Sequence, residues 1–262
     1  MPIHLPKGLR RLNDDDYKQT VYEVMRVIFA VHNEMGGLFD EPVYQQATAQ
    51  RLAHAKVEVA LGVSFESFLK TYFLDLLVSD GAVFELKAAD SVNDRNRSQT
   101  LNYLLLAELP HGKLVNFRQG SVEHEFVNAP LTRADRTAFL VEHKEYEEMR
   151  TAGFSLRDLF VTILRDWGTC LDLALYEEAL IHFLGGQQKV AQPVEICVGG
   201  RKVGQQRLNL ITPDVSLCLT AINDGHDHYE RELRRFLKHT NLKGIQWVNV
   251  ARRLVTFKSL RV

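Results

Sequence analysis

Two parts of this chain repeat one pattern of residues, and the repetition limits the folds available to it. Three pairs of segments align without gaps and in the same order, at offsets of 132, 134 and 133: residues 31–47 with 163–179, 73–90 with 207–224, and 98–117 with 231–250. Order and spacing kept over a whole domain length are typical of an internal duplication. The alternative is that two unrelated α/β segments share hydrophobic periodicity alone.

The first copy has the periodicity of a mixed α/β domain. Residues 14–37 place apolar side chains on one helical face, and this segment opens on acidic residues and closes on two glycines. The remaining pattern predicts a second helix from near residue 40, three strands within 56–89, a helix over 94–109, and strands at 112–117 and 122–127. We therefore expect an α/β fold, duplicated in tandem as domains 1–135 and 150–262, with the charged segment 141–150 joining them.

Three charged residues interrupt the strand-forming apolar runs of residues 73–90. Asp75 ends one run, and Glu85 and Lys87 stand two apart on the next, so that both point to one face of the sheet. Two carboxylates and an ammonium are costly in a core unless the carboxylates bind a hard cation. Oxygen ligands suit Mg²⁺ or Mn²⁺ and phosphodiester hydrolysis, in which Lys87 would orient the attacking water. Solvated charges at a sheet edge are the alternative for this pattern taken alone.

Two pairs of residues on predicted helices favour the metal site over solvated charges. Gln99 and Tyr103 are four apart, and Glu41 and Tyr44 are three apart, so each pair shares a helical face. In isolation, the first pair is typical of the polar rim of an amphipathic helix. Glu41 in isolation is typical of an acid that interacts with a helix dipole at the N-terminus.

The chain resembles the Gly-x-x-Glu-x-x-Tyr family of the PD-(D/E)XK nuclease superfamily. The resemblance rests on the chain order of Glu41, Tyr44, Asp75, Glu85, Lys87, Gln99 and Tyr103. The resemblance covers residues 20–128, and it departs from the family where Leu38 replaces the glycine three before Glu41. It implies a restriction-endonuclease-like core, a mixed central sheet flanked by helices, with a divalent metal held by the Asp and the Glu. The resemblance also implies that Gln99 and Tyr103 form a Gln-x-x-x-Tyr element that arranges the site and contacts nucleic acid. Site residues are then Asp75, Glu85, Lys87, Gln99, Tyr103 and Glu41, with Asp75, Glu85 and additionally Glu41 as metal ligands.

The second copy lacks these groups. At the aligned positions of the six site residues it has Leu173, Asn209, Leu219, Ala221, Glu232 and Phe236. A leucine and an alanine in place of the carboxylate and the amine cannot bind Mg²⁺, so we expect this half to be catalytically inactive. It could serve as an internal dimer partner or bind substrate.

Positive charge is concentrated at the end of a chain whose net charge is −1. Residues 229–262 hold nine Lys or Arg against two Glu, a local charge of about +7. Such a cluster is suited to phosphate neutralisation, and the residues expected to bind nucleic acid, DNA rather than RNA, are Arg234, Arg235, Lys238, Arg252 and Arg253. Solvated faces of a helix and of edge strands are the alternative.

The compartment is indicated by two further features. Cys170, Cys197 and Cys218 form no Cys-x-x-Cys pair, so neither disulfides nor a zinc site are indicated. No signal-like segment and no apolar run of membrane-spanning length is found, which predicts a cytoplasmic protein that does not contact a membrane.

From the charged strand residues and the family resemblance together, we expect an Mg²⁺- or Mn²⁺-dependent nuclease. The alternative is a non-catalytic nucleic-acid-binding or protein-interaction module that retains a nuclease fold.

Overall fold

A computed structural model describes residues 2–143, 145–148, 150–151 and 154–262. The chain divides into two compact units, Met1–Arg133 and Ala134–Val262. None of the helices in the described ranges combines the length and the apolar character needed to cross a membrane.

The first unit is a six-stranded mixed sheet with helices. Its elements are β1 (Ile3–His4), α1 (Asp14–Met35), α2 (Glu41–Ala49), β2 (Ala55–Phe65), β3 (Phe68–Val78), β4 (Ala82–Lys87), α3 (Asp94–Ala107), β5 (His111–Asn116) and β6 (Glu123–Asn128). The strands follow one another in the sheet in chain order. All neighbours are antiparallel except β4 and β5, which are parallel. From α1 to β6 the order of elements agrees with the order predicted from the sequence.

Local signals explain where the long helices begin and end. The side chain of Asn13 accepts a hydrogen bond from Asp16 N and caps α1, because the first N–H groups of a helix have no partner within it. Helix α1 ends at Gly36, whose φ of 71° is a backbone conformation that glycine adopts without strain. Asn93 and Asn96 cap α3 by reciprocal side-chain hydrogen bonds.

The apolar face of α1 forms one core of this unit. Val24, Ile28 and Val31 are fully buried and pack in one cluster with Phe84 of β4 and Phe117, which follows β5. Burial of large side chains of this kind stabilises a fold by roughly 1.5–3 kcal/mol each. The α3 crossover leaves the carboxyl ends of β4 and β5 at the same edge of the sheet, and this edge holds the candidate site.

The second unit has its own six-stranded sheet. Its elements are α4 (Arg133–Thr137), β7 (Leu140–Glu142), β8 (Arg150–Thr151), β9 (Phe154–Ser155), α5 (Leu156–Trp167), α6 (Leu173–Phe183), α7 (Gln187–Val190), β10 (Ala191–Val198), β11 (Arg201–Thr212), β12 (Val215–Thr220), α8 (His226–Leu237), β13 (Gly244–Val250) and β14 (Leu254–Arg261). The sheet order is β10-β11-β12-β13-β14-β7, and β8 pairs with β9. Strands β12 and β13 are parallel, as β4 and β5 are in the first unit.

Part of the segment expected to join the two halves belongs to this second sheet. Leu140–Glu142 forms β7 and pairs in parallel with β14. Further along the segment, Ser259 N donates to Glu145 O, while Lys144 and Met149 lie outside the described residues. The sequence did not predict β7 or β1, since strands of two or three residues are too short to show a period.

Candidate active site

Asp75 lies where β3 separates from β4. The described backbone pairing of the two strands ends at Leu76, which lies opposite Phe84. Beyond it, the side chain of Asp75 replaces the backbone as partner of β4, since its Oδ2 accepts a 2.8 Å hydrogen bond from Leu86 N. The side-chain amide of Gln45 in α2 also fixes this residue, because it donates a 2.6 Å hydrogen bond to Asp75 O. The carboxylate is therefore fixed at the carboxyl end of β4 by backbone geometry.

Glu85 and Lys87 share one face of β4 and contact each other. Lys87 Nζ donates to Glu85 Oε1 at 2.7 Å and to Leu86 O at 2.9 Å. Glu85 is completely buried, and its Oε2 has no hydrogen-bond partner among the described residues. A buried carboxyl oxygen without a hydrogen-bond partner is costly, so no hydrogen bond of the described fold accounts for the position of this atom.

Glu41 reaches the same ammonium from α2. Both of its carboxylate oxygens lie 3.5 Å from Lys87 Nζ, and its side chain is 36% exposed. With Asp75 Oδ2 at 3.6 Å, Lys87 Nζ has a carboxylate oxygen of three different residues within 3.6 Å. The three carboxylates thus converge on one ammonium at the edge of the sheet.

Tyr44 holds the segment that carries Glu41. Its hydroxyl donates to Gly36 O at 2.6 Å and accepts from Phe39 N at 3.0 Å, and its ring stacks on Phe117 at 4.3 Å between centroids. Tyr44 is fully buried. The Glu-x-x-Tyr spacing therefore has a structural consequence. Glu41 faces the site, while Tyr44 fixes the turn that precedes Glu41.

The electrostatics of the site follow from burial and crowding of like charges. Burial, and next the charge of Asp75, raise the pKa of Glu85 to about 8. Burial is also the largest cause that raises the pKa of Asp75 and of Glu41. The pKa of Lys87 is raised: burial opposes its charge, but the charges of Glu85, Asp75 and Glu41 and the hydrogen bond to Glu85 together outweigh that effect. Carboxyl groups with raised pKa values in such a cluster are typical of functional sites.

Gln99 and Tyr103 lie together on α3. Gln99 Nε2 donates to Tyr103 Oη at 2.8 Å, and the Tyr103 ring lies 5.7 Å from that of Tyr72. The pKa of Tyr103 is raised mainly by burial, and further by the charges of Glu85 and Asp75. The phenol is therefore within electrostatic reach of the two carboxylates that the sequence predicted as metal ligands.

The donor set fits a hard divalent cation in chemistry, but the side chains are not arranged around such an ion. Asp75, Glu85 and Glu41 supply carboxylate oxygens, which Mg²⁺ and Mn²⁺ prefer, and Glu85 Oε2 is a buried acceptor in need of a partner. Over the described part of the chain, no group of three or more His, Cys, Asp or Glu is positioned to hold a metal ion. The Lys87 ammonium lies among the carboxylates and supplies the positive charge there.

The five cations predicted to bind nucleic acid do not form one surface. Arg252 and Arg253 lie in the turn after β13, whereas the other three lie in the last turn and at the end of α8. Helix α8 has 12 residues, is about 18 Å long, and connects the end of β12 to the start of the parallel strand β13. Its last turn therefore lies near the start of β13, whereas Arg252 and Arg253 follow the end of β13. Arg234 and Arg235 are also paired with Glu230 and Glu232, each at 2.8 Å.

Arg118 was not predicted from the sequence, although it lies at the site edge. It follows β5, and its Nε and Nη2 donate to Ala88 O at 3.2 and 3.0 Å, one residue after Lys87. Among the described residues it has no carboxylate partner, in contrast to Arg157, Arg234, Arg235 and Arg261 of the second unit. The signal that could have found it is its place directly after a buried strand whose parallel neighbour carries Lys87.

The second unit repeats the hydrogen bonds that surround the site but not the site itself. The Tyr176 hydroxyl donates to Gly168 O and accepts from Leu171 N, as Tyr44 does with Gly36 and Phe39. The Asn249 side chain bonds both backbone groups of Ile222, as Asn116 does with Ala89. Both asparagine motifs keep an offset of 133, one less than the offset used for the strands in the sequence alignment.

This register changes which residues of the second unit correspond in position to Glu85 and Lys87. Asn116 pairs with Lys87, and Asn249 pairs with Thr220, so Thr220 and Cys218 stand at the positions of Lys87 and Glu85. Leu219 and Ala221, which the ungapped alignment placed there, are one residue off. Both parallel pairs keep the offset of 133 along their length, since Val83 pairs with Gly112 and Ser216 pairs with Ile245. At the Asp75 position, neither Leu208 nor Asn209 carries a carboxylate.

Comparison with known proteins finds one family model that matches part of the first unit. A family model described as the PD-(D/E)XK nuclease superfamily matches residues 18–128, less than half of the 262 residues, and this range includes all six candidate site residues. No curated protein matches the chain. A solved structure titled "Crystal structure of SSO0001" is 17% identical over 46% of this chain, spans 61% of that chain's length, and has a TM-score of 0.29, too low to indicate a common fold. The segment that builds the site is thus similar to the PD-(D/E)XK nuclease superfamily.

Proposed function

We propose that the protein is a metal-dependent nuclease of the Gly-x-x-Glu-x-x-Tyr type with its active site in the first unit. One observation carries this proposal: the carboxylates of Glu41, Asp75 and Glu85 converge on Lys87 Nζ within 3.6 Å, at the carboxyl edge of parallel strands. A fold does not need this arrangement, because burying several like charges together is costly. The family match over residues 18–128 supports the same reading.

Asp75 and Glu85 would hold the divalent ion, Mg²⁺ or Mn²⁺, with Glu41 as an additional ligand. When bound, such an ion lowers the pKa of a water and polarises a phosphoryl oxygen. Glu85 Oε2, which has no partner among the described residues, is the atom best placed to accept a new contact.

Lys87 would position the attacking water and stabilise negative charge on the phosphoryl group. Its ammonium has three protons to donate, and in this structure they face Glu85, Glu41 and Leu86 O. A cation held at this point acts on charge that develops in the transition state, which is the main electrostatic contribution to such reactions. Gln99 and Tyr103 would support the site from α3 and contact the nucleic acid.

We propose further that the second unit is a degenerate copy. The Tyr176 and Asn249 motifs repeat those of Tyr44 and Asn116, which supports a tandem duplication with domains near 1–135 and 150–262. With Cys218 and Thr220 at the Glu85 and Lys87 positions, this copy has no carboxylate and no amine at those two points. Its role would be that of an internal dimer partner or a substrate-binding surface.

The substrate would be nucleic acid, with DNA favoured over RNA, and the setting cytoplasmic. Arg252 and Arg253 remain candidates for phosphate contacts because no carboxylate pairs with them in the described chain. Arg234 and Arg235 are weaker candidates, since Glu230 and Glu232 already offset their charge.

The test is a cleavage assay with a control built into the chain. Wild-type protein, Asp75→Ala and Cys218→Ala are incubated with Mn²⁺ or Mg²⁺ and with linear, circular and single-stranded DNA and RNA. Cleavage by wild type and Cys218→Ala but not by Asp75→Ala supports the proposal. If all three proteins leave every substrate intact, the nuclease is excluded and the non-catalytic binding module takes its place.

A further inference from the structure

The segment that carries Glu41 also carries exposed apolar side chains. Within residues 36–43, here called the mouth segment, Leu38 is 85% exposed, Phe39 45% and Val43 40%. Single exposed apolar side chains are ordinary, but here three occur within the six residues 38–43, the stretch that also carries Glu41. Three residues of chain span at most about 11 Å, so Leu38 lies close to the carboxylate that meets Lys87.

The mouth segment is rigid, because its backbone is held at both ends. Tyr44 bonds Gly36 O and Phe39 N, and Gly37 packs so tightly that a Cβ there would come within 2.7 Å of Phe117 O and Arg118 O. Gly37 therefore lies directly against the backbone that carries Arg118, and Leu38 and Phe39 follow it in the chain. The packing of Gly37 thus brings the exposed apolar residues near an arginine that has no carboxylate partner in the described chain.

The corresponding turn of the second unit shows that the motif does not require this exposure. Leu171, which donates to Tyr176 as Phe39 does to Tyr44, is buried, and Leu175, at the position of Val43, is completely buried. The position of Arg118 is taken there by Ala251 at the offset of 133. Exposed apolar groups and the arginine thus occur together with the carboxylates and the lysine, and are absent together.

We propose that the mouth segment and Arg118 form the subsite for the nucleotide beside the scissile phosphodiester, with an unpaired base on Leu38 and Phe39 and its phosphate on Arg118. This inference rests on the proposed nuclease function and specifies its substrate as nucleic acid with single-stranded character at the cleavage point. A paired base is covered by its neighbours in the stack, whereas an unpaired base has a face free to pack on an aromatic or aliphatic side chain. Because Nε and Nη2 of Arg118 donate to Ala88 O, a phosphate would be bound by the outer edge of the planar guanidinium, through Nη1 and the second proton of Nη2.

The test measures binding without metal, so that it does not depend on cleavage. Fluorescence anisotropy in EDTA compares a single strand, a duplex with a single-stranded tail and a blunt duplex. The proteins are wild type, the double variant Leu38→Ser with Phe39→Ser, and Arg118→Ala. Matched controls are Leu69→Ser, a 66% exposed leucine at the far end of β3, and Arg11→Ala, beside residues at the opposite end of β5.

The double variant should bind the single strand and the tailed duplex about tenfold more weakly, with little change on the blunt duplex. Arg118→Ala should weaken single-strand binding and reduce the slope of log K against log salt by about 0.7. Both controls should stay within about twofold of wild type, and melting curves should confirm that all variants fold. Equal weakening on all three substrates, or no weakening, overturns the proposal. So does a change of oligomeric state in the double variant, which would assign the apolar surface to a second copy of the chain.

The experiments can refute the nuclease function and the base subsite independently of each other. If wild type cleaves nothing but the anisotropy pattern holds, the nuclease function is lost and the base subsite stands within a binding module. If cleavage is found and the double variant binds like wild type, the subsite is lost and the nuclease stands.

Discussion

Lys87 Nζ donates a 2.7 Å hydrogen bond to Glu85 Oε1, and the acceptor is the more deeply buried partner: the side chain of Glu85 is 0% exposed and that of Lys87 12%. The charge of Glu85 therefore depends on one ammonium, and its second oxygen has no partner in the described chain. This relation makes the site electrostatically strained in the absence of a metal, and several measurable consequences follow from it.

Metal-free stability should fall as the pH rises from about 5 to about 8. The pKa of Glu85 is about 8 in the folded protein against 4.5 for an unperturbed glutamate, so the folded state binds more protons in this range. The stability that protonation contributes is complete below pH 4.5 and is lost as the pH passes through 8. Glu85→Gln should remove most of this slope and, at pH 8 in EDTA, stabilise the protein by about 2–4 kcal/mol. Denaturant melts at pH 5 and 8 decide this, and parallel pH profiles of wild type and variant would refute it.

Mn²⁺ should raise the melting temperature of wild type at pH 8. A ligand that binds the folded state stabilises it by about 2.7 kcal/mol at 100 times its Kd, and it also supplies the positive charge that the carboxylates need. Glu85→Gln and Asp75→Asn should lose this shift, while Cys218→Ala should keep it. A shift of equal size in all four proteins would assign the binding to another part of the surface.

Lys87→Ala should lower the cleavage rate by a factor on the order of 10² to 10⁴, the range for a group that assists proton transfer and charge stabilisation. Lys87→Arg should not restore activity, because a guanidinium cannot take the place of a compact ammonium between three carboxylates. Lys56→Ala is the control, since Lys56 is exposed and forms an ion pair with Asp80 alone. Circular dichroism establishes that the variants fold, and full activity of Lys87→Ala would remove Lys87 from the reaction.

Tyr44→Phe and Tyr176→Phe form a matched pair. Each hydroxyl makes the same two backbone hydrogen bonds in its own unit, so each loss should destabilise by about 1–2 kcal/mol. Only Tyr44→Phe should also lower cleavage, because only Tyr44 fixes the turn before Glu41. Denaturant melts and rates measured side by side test this, and an equal loss of activity in Tyr176→Phe would contradict it.

Much of the first unit follows from its sequence because the signals are local. Long helices and alternating strands carry their own period, and Asn13, Gly36 and Asn93 mark helix ends through hydrogen bonds within a few residues. The grouping of Asp75, Glu85 and Lys87 was also predictable, since a hairpin brings neighbouring strands together. The offset of 134 assigned to residues 73–90 from the sequence is one more than the offset of 133 between the paired strands of the two units, because a strand that is buried on both faces has no alternation that fixes its register.

The sequence by itself determined the elements of the first unit from α1 to β6 and which strand residues carry charge, because periodicity and capping act over a few residues. Tertiary structure alone decided that Glu41 meets the same ammonium as Asp75 and Glu85, that Arg118 lies at that edge, and that the basic residues around α8 are divided between two ends of a strand. These relations join residues that are distant along the chain. They depend on how helices pack on the sheet and on strand register, and neither is encoded in any short segment.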